Sequence, residues 1–146
     1  MDFESCSRRL GAGINLAHDK YLIHRLRQEA QSRAGAEPLV PTPTTRIFDE
    51  VYTAAMAGFP SRDAYYSQCS CGPHLAAIRV PTVIISSLDD PLAPAMDIQK
   101  QPLSPMVHLH LERFGGHLGY VSGNLPGRHW LDYALGHYVR ELLSWT

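Results

Sequence analysis

The sequence predicts an α/β chain in which helices come first, followed by a strand, a crossover, a second strand and a closing helix. Three observations carry this reading. Apolar residues of the first half recur at helical spacing, with Leu16, Ile23, Leu26 and Ala30 three, four or seven apart. Near the middle, Val80, Val83, Ile84 and Ile85 are β-branched and nearly continuous, as in a strand buried on both faces. Further on, Val107, Leu109 and Leu111 alternate with His108, His110 and Glu112, which gives a strand one apolar and one wetter face. A strand, a crossover and a second strand followed by a helix favour a parallel pair with helices packed on it.

Each element has its own local cause. The first helix spans Asn15 to Ala34; Asn15 offers a capping oxygen, and Gly35 followed by Pro38 stops the helix. Pro38, Pro41 and Pro43 make an extended connector. Ile47, Phe48, Val51, Tyr52 and Ala55 then form a second helical stripe closed by Gly58 and Pro60. Ser61 is positioned to cap a third, short helix carrying Tyr65 and Tyr66. The strands are Thr82 to Ser87 and Met106 to Glu112. The last helix runs from about His129 to Trp145, with Leu131, Leu135, Tyr138, Val139 and Leu142 on the side that faces the sheet. Sheets usually hold about five or six strands, so a parallel pair reads as the end of a larger sheet with an unpaired edge.

Composition limits the class of function. The chain has 146 residues, 45% of them hydrophobic and 18% charged, enough apolar matter for a buried core. Thirteen Lys and Arg against 14 Asp and Glu give a net charge of −1, and no basic run exceeds Arg8-Arg9, so nucleic acid is not expected as a partner. No stretch approaches the roughly 18 apolar residues that cross a bilayer. The start, Met1-Asp2-Phe3-Glu4, is acidic where a signal peptide is basic. Cys6, Cys69 and Cys71 are an odd number, with the last two too close in sequence to bridge easily. These features point to a reducing, cytoplasmic setting; membrane association and oligomeric state stay open.

Two segments could carry chemistry. Leu88-Asp89-Asp90-Pro91 follows the first strand, at the carboxyl edge where open α/β sheets place their ligand crevice. Phe114-Gly115-Gly116-His117-Leu118-Gly119-Tyr120 follows the second strand and therefore lies on the same edge. Alone, Asp-Asp-Pro reads more often as a turn than as a site. Together, in the order acid then base, Asp90 and His117 match two members of a nucleophilic triad, in which a carboxylate fixes a histidine tautomer. Other candidates are weaker. Cys69-x-Cys71 with His74 lacks the four ligands of a closed zinc site, and His108 with His110 reads as polar alternation on a wet face, so no metal is assigned. Tyr65, Tyr66, Phe59 and Met56 could line an acyl pocket, although such aromatics are more often core.

These residues resemble those of the YheT-like α/β-hydrolases and the eukaryotic abhydrolase-domain lipases, in their carboxy-terminal half. The resemblance rests on Asp89-Asp90-Pro91 and Gly115-Gly116-His117-x-Gly119-Tyr120, with support from Ser5-Cys6-Ser7-Arg8-Arg9-Leu10, Tyr65-Tyr66-Ser67-Gln68-Cys69-Ser70 and Ile78-Arg79-Val80-Pro81-Thr82. It implies Asp90 as the triad acid, His117 as the base, an ester or lipid-like small molecule as substrate, and no cofactor; it leaves Asp89 as a neighbour without an assigned role. The chain departs from that family in one respect: no Gly-x-Ser-x-Gly pentapeptide occurs in it. The expectation is therefore a partial α/β-hydrolase domain, with a mostly helical cap or connector over residues 1–78 and the strand, acid-loop, strand, histidine-loop and helix over 79–146. Its leading function is that of a fragment of a serine hydrolase acting on carboxylic esters, of short-chain carboxylesterase or monoacylglycerol-lipase type. The alternative is a catalytically dead remnant or interaction module.

Overall fold

A computed structural model describes residues 2–34, 40–120 and 130–144. It divides into two compact units, residues 1–70 and 71–146. Gly35, Pro38, His129 and Trp145, which bound elements expected from the sequence, lie outside the described residues.

The first unit is helical. Helix α1, Phe3–Leu10, is one the apolar pattern does not reveal. Its signals are polar: the Asp2 side chain accepts from the Glu4 amide at 3.0 Å, Glu4 sits in the first turn, and Arg8 and Arg9 sit in the last, each complementing the helix dipole. A 3₁₀ turn, Gly13–Asn15, leads into α2, Leu16–Ala34. Asn15 thus belongs to the turn rather than the helix, and its side-chain nitrogen Nδ2 donates to the Arg9 carbonyl at 3.1 Å.

Ile23 and Ala30 of α2 are buried against Phe48, with Tyr52 packed on them at a ring separation of 5.0 Å from Phe48. Leu16 and Leu26, on the same expected stripe, keep 43% and 38% of their surface. Burying a side chain the size of Ile23 stabilises by about 1.5–3 kcal/mol, so this short seam is the main apolar tie between α2 and the next helix. A polar tie adds to it. Asp19, buried to 1% exposure, accepts from the Thr45 amide at 3.1 Å and the Thr45 hydroxyl at 2.5 Å. That fixes the first residue of α3, Thr45–Phe48, while the Thr44 hydroxyl caps it by accepting from Ile47 N at 3.3 Å.

The helix continues through a π-helical segment, Asp49–Thr53, into α4, Ala54–Met56. The Ala54 amide reaches back five residues to the Asp49 carbonyl, which marks the wider turn. Helix α5, Arg62–Cys69, starts where expected, with the Ser61 hydroxyl accepting from Ala64 N at 3.2 Å. Tyr66 is buried among Phe3 and Tyr65, and its hydroxyl donates to Asp49 at 2.6 Å. Burial, reinforced by that carboxylate, pushes its phenol well above the ordinary tyrosine range. These aromatics serve as the packing of this unit, and Met56 stays 72% exposed.

The second unit holds the sheet. A 3₁₀ segment, Gly72–Ala77, precedes β1, Thr82–Ser87; helix α6, Ala95–Gln99, lies in the crossover; β2, Val107–Glu112, and α7, Trp130–Leu143, follow. The strands are parallel, in register from Thr82 opposite Val107 to Ser87 opposite Glu112. Met106 contributes only its carbonyl, which accepts from Thr82 N at 2.9 Å, and Leu88 N extends the ladder to the Glu112 carbonyl at 2.8 Å.

Two sequence expectations are corrected. Strand β1 is not buried on both faces: only Ser86 and Ser87 are buried, and Val83, Ile84 and Ile85 are half-buried, because among the described residues β2 is its sole strand neighbour. Helix α7 turns a different stripe inward. Ala134 is buried and Leu131, Tyr138 and Leu142 are half-buried, whereas Leu135 and Val139 stay 48% and 54% exposed. Tyr138, common to both stripes, sets its hydroxyl 2.5 Å from Nδ1 of His110 on β2. Among the described residues no helix is long and apolar enough to cross a membrane.

Candidate active site

In a parallel pair both strands end at the same edge, so the segments after Ser87 and Glu112 leave side by side. The first turns at once. Asp90 N points to the Ser87 carbonyl at 3.5 Å, and Asp90 Oδ1 accepts from the amides of Leu92 and Ala93 at 2.8 and 2.9 Å. This is an Asp-Pro turn, as the sequence alone suggests, with its carboxylate bonded to the backbone two and three residues on. The same carboxylate has a second oxygen to spare. Asp90 Oδ2 lies 3.0 Å from His117 Nδ1, across 27 positions of sequence. The turn and the pair are therefore one structure, and the two sequence readings do not compete.

Asp90 is the sheltered partner: its side chain is 10% exposed, against 41% for His117. A carboxylate accepts only, so the contact places the proton of neutral His117 on Nδ1 and leaves Nε2 as the ring's acceptor.

His117 stands in a tight loop. Gly119 N and Tyr120 N both donate to the Gly115 carbonyl, at 2.9 and 3.1 Å, so residues 115–120 fold back on themselves. Gly116, Leu118 and Tyr120 have φ of 53°, 71° and 36°. The left-handed region is open to Gly116 at little cost and unfavourable for the other two. Tyr120 is buried, its ring stacks on Trp130 of α7 at 5.7 Å, and Trp130 N donates to its carbonyl at 2.8 Å. Burial, with the charges of Asp90 and Asp89 adding to it, raises the Tyr120 phenol above its ordinary range.

Asp89 does not touch the imidazole in this arrangement. Its Oδ1 accepts from Gly115 N at 2.9 Å and Gly116 N at 2.8 Å, and it is also bonded by the Ser87 hydroxyl. The hydroxyl first, then the two amides, hold its carboxyl below the usual aspartate range. The resemblance leaves Asp89 without an assigned role; the structure gives the consecutive aspartates separate partners.

A second set of contacts was hidden by the alternation of β2. His110, read as one more polar residue on a wet face, bonds Glu112 through Nε2 at 2.8 Å and Tyr138 through Nδ1 at 2.5 Å, with the Trp130 ring 5.3 Å away. The signal was present: residues i and i+2 of a strand share a face, and Tyr138 was placed on the helix expected to dock there. Among the described residues no three His, Cys, Asp or Glu side chains converge as a metal site would require.

Comparison with known proteins extends across nearly the whole chain. It is 33% identical to YheT of Escherichia coli (strain K12), named for an inferred esterase activity, over 97% of this chain and 45% of that protein. It is 26% identical to the human phospholipase ABHD3, over 96% of this chain and 37% of that protein. A medium-chain fatty acid ethyl ester synthase/esterase of Saccharomyces cerevisiae is 36% identical over 67% of the chain and 22% of its own length. The chain thus spans less than half the length of these relatives. No protein-family model matches it, and no solved structure shows significant similarity. The parallel α/β unit and the relatives found along the full chain agree: it belongs to the YheT/ABHD branch of the α/β-hydrolases.

Proposed function

We propose that this chain supplies the acid and the base of a hydrolase for carboxylic esters, with Asp90 as the acid and His117 as the base. The observation that carries the reading is the 3.0 Å contact between His117 Nδ1 and Asp90 Oδ2 at the shared edge of the two strands. The names of the relatives support the substrate class, since they include an esterase, a phospholipase and a monoacylglycerol lipase. In the proposed cycle His117 Nε2 takes the proton of a serine hydroxyl as it attacks the ester carbonyl, then gives that proton to the leaving alcohol. Water repeats the sequence on the acyl-serine and releases the acid. Asp90 keeps the ring in the right tautomer and offsets the imidazolium charge as it forms.

The serine belongs, in this proposal, to a segment outside the chain, which would be the carboxy-terminal part of a larger fold. Residues 1–78 would form its cap or connector and 79–146 its acid and base layer. Coverage of 45% of the bacterial relative supports that division of labour. The odd count of cysteines, Cys6, Cys69 and Cys71, supports a reducing, cytoplasmic compartment. A second reading, an interaction module without catalysis, draws support from the half-buried Val83-Ile84-Ile85 strand.

Reconstitution tests the proposal. The chain is fused behind the amino-terminal part of the Escherichia coli relative and assayed with p-nitrophenyl esters. Turnover is expected from the folded fusion, with none after His117→Ala and a loss on the order of 10⁴-fold after Asp90→Asn, the scale of a lost triad acid. A folded fusion whose turnover survives His117→Ala overturns the assignment of the base.

A further inference from the structure

We propose that Asp89 is the positioning residue for His117, a carboxylate clip that ties the histidine loop to the end of β1. The proposal rests on reading His117 as the base, and adds a residue to the machinery of that site. Asp90 touches the imidazole ring, but no bond of its side chain runs to the backbone of the histidine loop. Something else must set where that backbone lies. The loop's own closure, from Gly119 and Tyr120 to the Gly115 carbonyl, fixes its internal shape and not its place against β1.

Asp89 supplies the missing link. One oxygen, Oδ1, receives both Gly115 N and Gly116 N, the two amides immediately before His117. The Ser87 hydroxyl binds the same oxygen, and Ser87 is fully buried at the last position of β1, so the clip is anchored on the rigid sheet. Successive amides converging on one anion form a concave receptor for negative charge, and here the anion is the chain's own side chain. Bonds to a charged acceptor are about twice as strong as neutral ones, which suits a loop whose Leu118 and Tyr120 hold left-handed φ and need outside support to stay there. The clip and the acid are consecutive residues on one turn, so Asp90 Oδ2 and the His117 ring are brought into register from a single anchor.

The test reads the tautomer of His117 in the 146-residue chain, by long-range ¹H–¹⁵N NMR at a pH where the ring is neutral. A ring held by Asp90 carries its proton on Nδ1; a released ring reverts to the mixture of free histidine, which favours Nε2. Asp89→Ala is expected to lower the Nδ1–H fraction by about two-fold or more, with the β1 and β2 amide shifts unchanged. Asp89→Asn keeps an oxygen for the two amides and is expected to retain the wild-type tautomer. If Asp89→Ala fails to fold, Asp89→Glu decides: it keeps the charge but lengthens the clip by one methylene, and must also lower the Nδ1–H fraction. An unchanged tautomer in Asp89→Ala, or in Asp89→Glu where that variant decides, overturns the proposal. An unchanged tautomer in Asp90→Asn would instead overturn the acid and base pairing, so the two failures are distinguishable.

Discussion

The Tyr120 ring occupies the space that a β-carbon at Gly115 would need: a carbon built there would lie 2.6 Å from the nearest ring atom and 3.1 Å from Ser87 Cβ. Gly115 is therefore required by close approach, while its neighbour Gly116 is required by its φ of 53°. Gly115→Ala is expected to destabilise the second unit by about 1–3 kcal/mol, the usual cost of overpacking. Urea unfolding measures it. If the ring is the obstacle, Gly115→Ala combined with Tyr120→Ala will cost less than the sum of the single changes.

Asp90 holds its turn through one oxygen and meets His117 through the other, and substitution separates the two contacts. Asp90→Asn keeps an oxygen for the Leu92 and Ala93 amides and should leave stability nearly unchanged. Asp90→Ala strips both amides of their acceptor at a site only 10% exposed and should cost about 1–3 kcal/mol. Both should abolish the Nδ1–H preference of His117. Thermal unfolding alongside histidine NMR checks the split, and equal stability losses in the two variants would show that the turn does not depend on that oxygen.

The first unit should weaken in acid through one carboxylate. Arg46 first, and Arg8 with it, hold Glu4 down to about 2 from an ordinary 4.5, with contacts of 2.8 and 2.7 Å. A depressed carboxyl contributes stability that is fully present above its unfolded pKa and is lost as pH falls toward its folded one. The loss should therefore run from about 4.5 down to about 2. Unfolding midpoints measured across this window should fall less steeply in Glu4→Gln than in the natural chain, and identical slopes would remove Glu4 from the account.

Strand β1 should drive association of the isolated chain. Its Val83-Ile84-Ile85 run is β-branched, uncharged and half-buried, with β2 its sole strand neighbour among the described residues. Such an edge pairs with others once exposed. Size-exclusion chromatography should show a concentration-dependent shift to larger species, reduced by Val83→Lys. A monodisperse monomer at all concentrations would show that the edge is protected.

The sequence made the strands and the site geometry legible because both rest on local rules. β-Branched runs and strict alternation set Thr82–Ser87 and Val107–Glu112, and their parallel order alone placed the Asp90 and His117 loops on one edge. Caps were equally local, as Ser61 shows. What stayed hidden was long-range or polar. Helix α1 is drawn by charge and capping rather than by an apolar stripe. The polar contact of α7 with β2 joins a phenol to His110 across 28 positions. The role of Asp89 depends on which of two adjacent carboxylates faces two amides 26 and 27 residues away, which no spacing rule encodes.

The in-phase pairing of β1 with β2 also makes the Asp90–His117 contact tolerant of change elsewhere. Their meeting is set where both strands finish, from Ser87 and Glu112 onward, whereas the chain after α6 re-enters the sheet at its opposite end, at Val107 beside Thr82. Length gained or lost ahead of Ser104, whose buried hydroxyl donates to the Ile78 carbonyl at 2.6 Å, therefore need not displace either partner. Relatives could vary the number of residues separating aspartate from histidine and still present the same pair, so the interval between the two in a sequence is a poor guide to membership, while the strand end that each follows is a good one.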